Sequence, residues 1–328
     1  MDSWQAQLKY DPIPKLLSSG NEAITYFTKR DILEVEVESV KVLWGLSGVQ
    51  RILNKQRENG SWEYRGSQHT RIRSDEDYDQ LETYRILGIL VEKYGLNKEQ
   101  EAIRKTADFL FSRQSEAGDF RGIYNNQYSP NYSAAIMELL IKAGYDDDPQ
   151  IEKGFKWLLS IRQHDGGWAI PLRTVGKEYG SLDKAFNETK TVEPDKSKPF
   201  SHLATGVVLR AFSAHPSYRE SKEAQLAGEL LKSRFFKADK YADRKHSSFW
   251  TKLKYPFWFT DILSSLDSLS LLEFAKDDPQ IKTALDWFLV NQHEDGIWRS
   301  PFKMLDRELD LWVTLAACRV LKRFYEKK

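Results

Sequence analysis

Four acidic side chains, Asp75, Glu76, Asp77 and Asp79, crowd around Tyr78 in a run of five residues. Carboxylates held this close repel one another, and burial adds to the effect, so one member keeps its proton and becomes available as a general acid. Asp77, flanked by Asp75 and Asp79, is the candidate acid. Acidic residues are also favoured in the first turn of a helix, so capping is the competing reading for each of them. His69, Arg71 and Arg73 lie just ahead of the run, and similar polar and aromatic groups recur further on. They are Tyr124, Asn125, Asn126, Tyr128 and Asn131, then Ser201 and His202, then Trp258 and Asp261, and last Asp306, Arg307, Glu308, Asp310 and Trp312. Of these, Tyr128, His202, Trp258, Asp261, Asp310 and Trp312 are the candidate substrate-binding residues. Convergence of such groups on one cavity is what a small-molecule site requires.

A repeat supplies the elements that would bring them together. Gln56 is followed by Gly60 and Trp62, Gln114 by Gly118 and Phe120, Gln163 by Gly167 and Trp168, and Gln292 by Gly296 and Trp298. Glycine falls four residues after each glutamine; the aromatic falls at six in three copies and at five in the third. Each glutamine closes an apolar stripe at helical spacing, the glycine supplies a left-handed turn that ends the helix, and the aromatic covers the helix end. The glutamines lie 58, 49 and 129 residues apart, so the last gap holds a degraded copy, read as 224–236 with Tyr241 in the aromatic role and displaced by an insertion over 169–200.

Helices at 40–55, 100–113, 150–162, 222–236 and 279–292 precede the turns and read as outer. Less charged segments at 77–94, 131–144, 201–214, 257–274 and 308–324 follow them and read as inner, since a helix apolar on most sides is a buried one. A sixth inner helix is expected at 21–33. An Arg-apolar-apolar step recurs in three of the inner segments, at Arg85, Arg210 and Arg319. If every inner helix follows an outer one through the same turn, the inner N-termini gather at one end, where helix dipoles make the surroundings electropositive. The candidate residues all arrive at that end.

The Q-x-x-x-G-x-W turns between paired helices resemble the prenyltransferase and squalene-cyclase repeat. The resemblance covers about 40–328 and implies an all-α fold, an α/α toroid of about six inner and five to six outer helices, similar to an (α/α)6 barrel. It implies a single domain over 1–328, with 1–20 as an N-terminal strap and 169–200 as an insertion or lid. The run Asp75-Glu76-Asp77-Tyr78 resembles the D-x-D-D of squalene–hopene cyclases, in which the third position protonates an alkene. That position is Asp77 here, whereas the carboxylate at the fourth position of the motif is replaced by Tyr78. The family's histidine partner of the acid has His202 and His69 as candidates by position. The zinc site of protein prenyltransferases has no counterpart, because the sole cysteine, Cys318, sits within an inner helix.

Composition narrows the remaining classes. The 328 residues carry 49 Lys and Arg against 48 Asp and Glu, a net charge of +1, which is not the footprint of a nucleic-acid binder. A single cysteine makes no internal disulfide, no stretch of about 18 apolar residues suggests a membrane span, and the first residues do not read as a leader. The expected location is cytoplasmic, in one reading peripheral to a membrane. No H-E-x-x-H spacing and no cysteine pair is present, so neither a metal nor another cofactor is expected; His164 and His293 recur just after Gln163 and Gln292 and read as turn-end residues. Against the near-neutral whole, 232–258 holds eight Lys and Arg against two Asp, interleaved with aromatics. Such a stretch suits contact with an anionic lipid or a diphosphate.

Three function classes follow. The first is a terpenoid-cyclase-like toroid that takes an apolar or isoprenoid-like small molecule, with acid-initiated cyclisation from Asp77 and cation–π stabilisation by Trp258 and Trp312. The second is a non-catalytic ligand- or protein-binding toroid. The third is a carbohydrate-active (α/α)6 barrel enzyme.

Overall fold

The structure is a computed structural model and describes residues 4–66, 74–175, 190–241, 245–302 and 306–326. The chain is all-α, and among the described residues it has no strand beyond two isolated bridges, Gln114 with Phe120 and Gly122 with Asn125. It divides into two compact units, one made of Val40–Tyr218 and the other of Met1–Ser39 with Arg219–Lys328. No helix among the described residues is long and apolar enough to cross a membrane.

In the Val40–Tyr218 unit the outer helices are Ser47–Leu53, Glu101–Ser112 and Pro149–Ser160, and the inner ones are Asp75–Tyr94, Pro130–Leu140 and His202–Ala214. Burial separates the two kinds. Pro149–Ser160 buries 5 of its 12 residues, on one stripe, whereas His202–Ala214 buries 11 of 13. Starts are set by caps that the sequence carries openly: Asp148 Oδ1 accepts from Gln150 N at 2.8 Å with Pro149 next in line, and Ser129 Oγ accepts from Tyr132 N at 3.3 Å with Pro130 next.

The second unit contains Glu22–Phe27, Lys222–Lys232, Ile262–Leu271, Pro279–Val290 and Leu309–Tyr325. The inner helix expected from 257 begins five residues later, at Ile262. Asp261 forms a capping box with Ser264, accepting from Ser264 N at 2.7 Å while Ser264 Oγ accepts from Asp261 N at 3.0 Å, and this leaves 257–260 outside the helix.

The turns explain why the motif has its spacing. Gln56 Nε2 donates to Gly60 O across its own turn and to Ala102 O at the start of the next outer helix. Gln114 Nε2 does the same with Gly118 O and Gln150 O, and Gln292 Nε2 with Gly296 O and Tyr10 O. The N-terminal segment therefore occupies, on the last turn, the place that an outer helix occupies on the first two. Each tryptophan is also fixed twice. The indoles of Trp62, Trp168 and Trp298 donate to the carbonyls of Ile52, Leu158 and Phe288, ten residues back in each case. The backbone N–H groups of Trp62, Phe120, Trp168 and Trp298 donate to hydroxyls on inner helices, those of Thr83, Ser133, Thr205 and Thr314.

Two details of the repeat differ from the sequence reading. In the third copy Arg162, not Gln163, stands six residues before the tryptophan, and the left-handed glycine is Gly166 (φ +100°), equivalent to Gly60, Gly118 and Gly296. Gln163, moved one place along, reaches Asp195 O and Lys198 O at 2.9 Å each. In the degraded copy the buried indole is Trp250, which donates to Lys237 O at 2.9 Å and packs edge-on to Phe235, while Tyr241 is only half-buried. Within 169–200, the described parts are 169–175, which include the short helix Pro171–Thr174, and 190–200; 176–189 lie outside the described residues.

A Cβ on Gly118, at φ +112°, would lie 2.6 Å from Lys153 O, whereas one on Gly20, at φ +74°, would meet nothing within 4 Å. Gly20→Ala adds backbone strain alone, and Gly118→Ala adds strain and a backbone clash. We expect Gly118→Ala to lower Tm clearly more than Gly20→Ala, with a loss of about 2 kcal/mol or more against about 1 kcal/mol, read by thermal and urea unfolding.

Candidate functional site

The acidic run opens the inner helix Asp75–Tyr94. Ser74 caps it by accepting from Asp77 N at 3.1 Å, and Asp75, Glu76 and Asp77 fill the first turn. Asp75 is exposed, whereas Asp77, Tyr78, Asp79 and Gln80 are buried. Residues two apart on a helix do not face each other, and Asp77 and Asp79 accordingly have separate partners. Asp77 Oδ1 forms an ion pair with Arg113, the residue that follows the outer helix Glu101–Ser112. Arg113 also pairs with Glu76 at 3.0 Å and donates to Gln80 Oε1 at 3.4 Å. Gly122, at φ +116°, closes over this group: a Cβ there would lie 2.5 Å from Asp77 Oδ1 and from Gln80 Oε1. Among the described residues the hydrogen bonds to the Asp77 carboxylate all go to Oδ1.

Asp79 has a different environment. It pairs with Arg57 and accepts from Tyr64 N at 2.8 Å, two residues beyond Trp62. Asp310, in the other unit, repeats this arrangement: it accepts from Ser300 N at 2.7 Å, two residues beyond Trp298, and from Arg299 at 3.3 Å. Each lies four residues before the hydroxyl that holds its tryptophan, Thr83 or Thr314. Both carboxylates therefore tie the chain leaving the turn to the inner helix.

The other candidates fall as follows. His202 is buried at the first position of its helix, with Ser201 as the cap. Tyr128 is half-buried; its hydroxyl donates to Glu193 Oε1 at 3.2 Å, its ring packs on Trp157, and burial followed by the Glu193 charge pushes its phenol above the ordinary range. With Gln127, which holds Lys190 O and Val192 N, it anchors 190–200 onto the loop around 121–128. Asp261 is spent on its capping box and on Lys254 N at 3.2 Å. Trp258 is half-buried with the Lys254 ammonium 5.3 Å from its ring centre. Trp312 is fully buried, stacked on Tyr255 and edge-on to Phe27. His69, Arg71 and Arg73 lie outside the described residues. Among the described residues no group of three His, Cys, Asp or Glu side chains is placed to hold a metal ion.

The sequence reading missed a charged network on the inner helices of the Val40–Tyr218 unit. Arg210 donates through Nε to Glu138 at 2.8 Å, both side chains being almost wholly buried. Lys142 bonds Glu138 at 2.8 Å and also Glu92. Burial pushes the nearby Tyr84 phenol far above its ordinary value, against the opposing charge of Arg210. The signal was present as Glu138 inside an apolar run and as the Arg210 step. Of the other two arginines in that step, Arg85 is an exposed partner of Glu82, and Arg319 pairs with Asp31 at 2.6 Å.

No family model matches the chain. A curated relative, the squalene–hopene cyclase of Bradyrhizobium diazoefficiens, aligns over 189 residues at 26% identity, covering 53% of this chain and 26% of that protein. The chain is similar to a squalene–hopene cyclase. It spans about a quarter of the length of that relative. Among solved structures, a point variant of the type II terpene cyclase MstE from Scytonema superposes at a TM-score of 0.43 and 13% identity, over 96% of this chain and 99% of that one. An alpha-amylase from Clostridium perfringens superposes at 0.40 and 12%, over 87% and 83%. The squalene-cyclase likeness is thus carried by the turn repeat and by the aligned relative.

One ion pair allows a pH test of the scaffold. Burial alone works to raise the Asp31 carboxyl, but the Arg319 and Arg30 guanidiniums outweigh it and hold its pKa below the ordinary 3.8. Stabilisation from a group depressed on folding is fully present above its unfolded pKa and is lost as pH falls through the folded one. We expect Asp31→Asn to cost about 1 kcal/mol at neutral pH, the pair being partly solvated, and the gap to the parent in Tm to close as pH is lowered below 3.8.

Proposed function

We propose that this chain is a terpenoid-cyclase-like α/α toroid, one domain strapped by 1–20, that binds an apolar or isoprenoid-like small molecule, and that Asp77 initiates its cyclisation. The observation that carries the reading is the burial of Asp77 in the first turn of an inner helix, at the third position of the acidic run, within a chain similar to a squalene–hopene cyclase. In the reaction the protonated carboxyl gives its proton to a terminal alkene. The carbon left electron-deficient is attacked by the next alkene, and loss of a proton at the end restores neutrality, so substrate and product are isomers. Oδ1 faces Arg113, and Oδ2 is therefore the oxygen we assign to proton transfer.

A specific observation favours the non-catalytic alternative. A guanidinium bonded to Oδ1 competes with the proton for the Asp77 carboxylate, and Tyr78, stacked on Tyr64, stands where the motif has its fourth-position carboxylate. Incubation with squalene and with geranylgeranyl-bearing substrates, followed by mass spectrometry and chromatography of the isomers, separates the readings. Cyclisation that falls by at least about a hundredfold in Asp77→Asn, with the fold retained by circular dichroism, supports the acid. Binding of the same compounds without turnover, unchanged in Asp77→Asn, supports the ligand-binding toroid.

We also place the anionic contact of 232–258 on Lys240, Lys245, Lys252 and Lys254. Lys232 is committed to Asp278 and Glu229, Arg234 to Ala238 O and Lys237 to Ser233 O, whereas Lys252 and Lys254 lie over the rings of Phe249 and Trp258. Residues 242–244 lie outside the described residues. Binding to anionic vesicles or to an isoprenoid diphosphate should weaken with added salt and fall several-fold in Lys252→Glu with Lys254→Glu. Unchanged binding of both probes would show the stretch to be structural.

A further inference from the structure

Two polar atoms in the group around Asp77 have no partner among the described residues. Gln80, wholly buried and three residues beyond Asp77 on the inner helix, accepts from Arg113 Nε at 3.4 Å through Oε1, while its Nε2 is buried with nothing to bond. Arg113 fixes which way round the amide sits, because the reversed amide would set an NH2 group against a guanidinium, donor against donor. A buried donor left unbonded is costly and calls for a reason. The acceptor left over is Asp77 Oδ2, since the guanidinium takes Oδ1. Residues three apart on a helix are neighbours, and these two side chains come together at one place: a Cβ on Gly122 would lie 2.5 Å from Asp77 Oδ1 and 2.5 Å from Gln80 Oε1.

We propose that Gln80 is a further catalytic residue, whose Nε2–H donates to Asp77 Oδ2 as that oxygen loses its proton. The inference rests on the reading of Asp77 as the acid that begins cyclisation. In that step the Oδ2–H bond breaks, the π pair of the alkene forms the new C–H bond, and the electron pair of the broken bond stays on Oδ2 as carboxylate charge. A protonated Oδ2 is a poor acceptor, whereas a carboxylate oxygen is a strong one. The bond from Nε2 therefore strengthens as charge develops, so it favours the transition state over the ground state. The donor is already desolvated, and rotation of the Gln80 side chain, with Oε1 kept toward Arg113, is the movement the bond needs. A proton from solvent restores Asp77 for the next turnover.

Steady-state turnover of squalene or of a geranylgeranyl-bearing substrate by the full chain, with the isomeric products separated by chromatography, tests this. Gln80→Leu and Gln80→Met each remove the donor and keep most of the volume, and circular dichroism shows which of them folds. We expect either variant to lower kcat at least about tenfold while KM stays within about twofold of the parent. Proton transfer then limits turnover at least as much as before, so the effect of D2O on kcat should be as large as in the parent or larger. A purely structural loss, acting through a loosened Arg113, would raise KM or shrink the isotope effect and overturn the proposal, as would an unchanged kcat in a folded variant. If Asp77→Asn abolishes turnover while the Gln80 variants retain it, the acid reading stands and the role of Gln80 falls. Turnover by Asp77→Asn equal to the parent's, or a parent chain that converts neither substrate, overturns both.

Discussion

An outer helix in this chain is held by the side-chain amide of the turn before it. Gln56, Gln114 and Gln292 each carry an NH2 group between two carbonyls, one in their own turn and one at the head of the segment that packs next. Buried backbone carbonyls must find a donor, and a primary amide has two hydrogens to offer. The rest of the repeat makes that reach possible. The left-handed glycine lets the turn approach the neighbouring backbone so closely that Gly118 has no room for a Cβ beside Lys153 O. The aromatic fixes the turn from its other side, through an indole bond to the outer helix and a backbone bond to a hydroxyl on the inner one. The consequence is a scaffold in which one small turn sets the spacing of three segments.

This explains which parts of the fold were legible in the sequence. The turns and nearly all helices could be read because glutamine, glycine and tryptophan act over fixed distances along the chain. The third turn was read one residue out of register because two glycines, Gly166 and Gly167, are adjacent and only backbone geometry distinguishes them. Arg162 replaces the glutamine there, and the neighbouring Gln163 bonds a segment 32 residues further on. Trp250 was missed for the same reason: its bond to Lys237 O spans 13 residues through irregular chain, a separation that no periodicity announces. The hydroxyl partners were hidden by their ordinariness, since Thr83, Ser133, Thr205 and Thr314 lie 21, 13, 37 and 16 residues from the aromatics they hold.

The candidate site was less legible because the start of an inner helix serves structure and chemistry with the same residue types. In sequence Asp79 reads as a neighbour of the catalytic acid and Asp310 as a substrate-binding residue, yet their matching bonds to Tyr64 N and Ser300 N show a shared part in the repeat. Asp261 looks equally chemical and is a capping box. Trp312, offered as a cation-stabilising ring, is packed against Tyr255 and Phe27 in the core.

Asp77 differs from these carboxylates in what it bonds. Its side chain accepts from a side-chain guanidinium rather than from the backbone, and it ties the inner helix to Arg113, at the end of the outer helix Glu101–Ser112, through that pair alone. The oxygen in that pair is covered by the turn at Gly122, and Arg113 has a second carboxylate, Glu76, within 3.0 Å. Arg113 therefore bridges a buried carboxylate, Asp77, and an exposed one, Glu76. Arg57 likewise reaches a second carboxylate, Glu63 at 3.4 Å, but Asp79 also holds Tyr64 N, a backbone bond that Asp77 lacks. On this argument the two buried carboxylates of the run are chemically unlike although only one residue separates them.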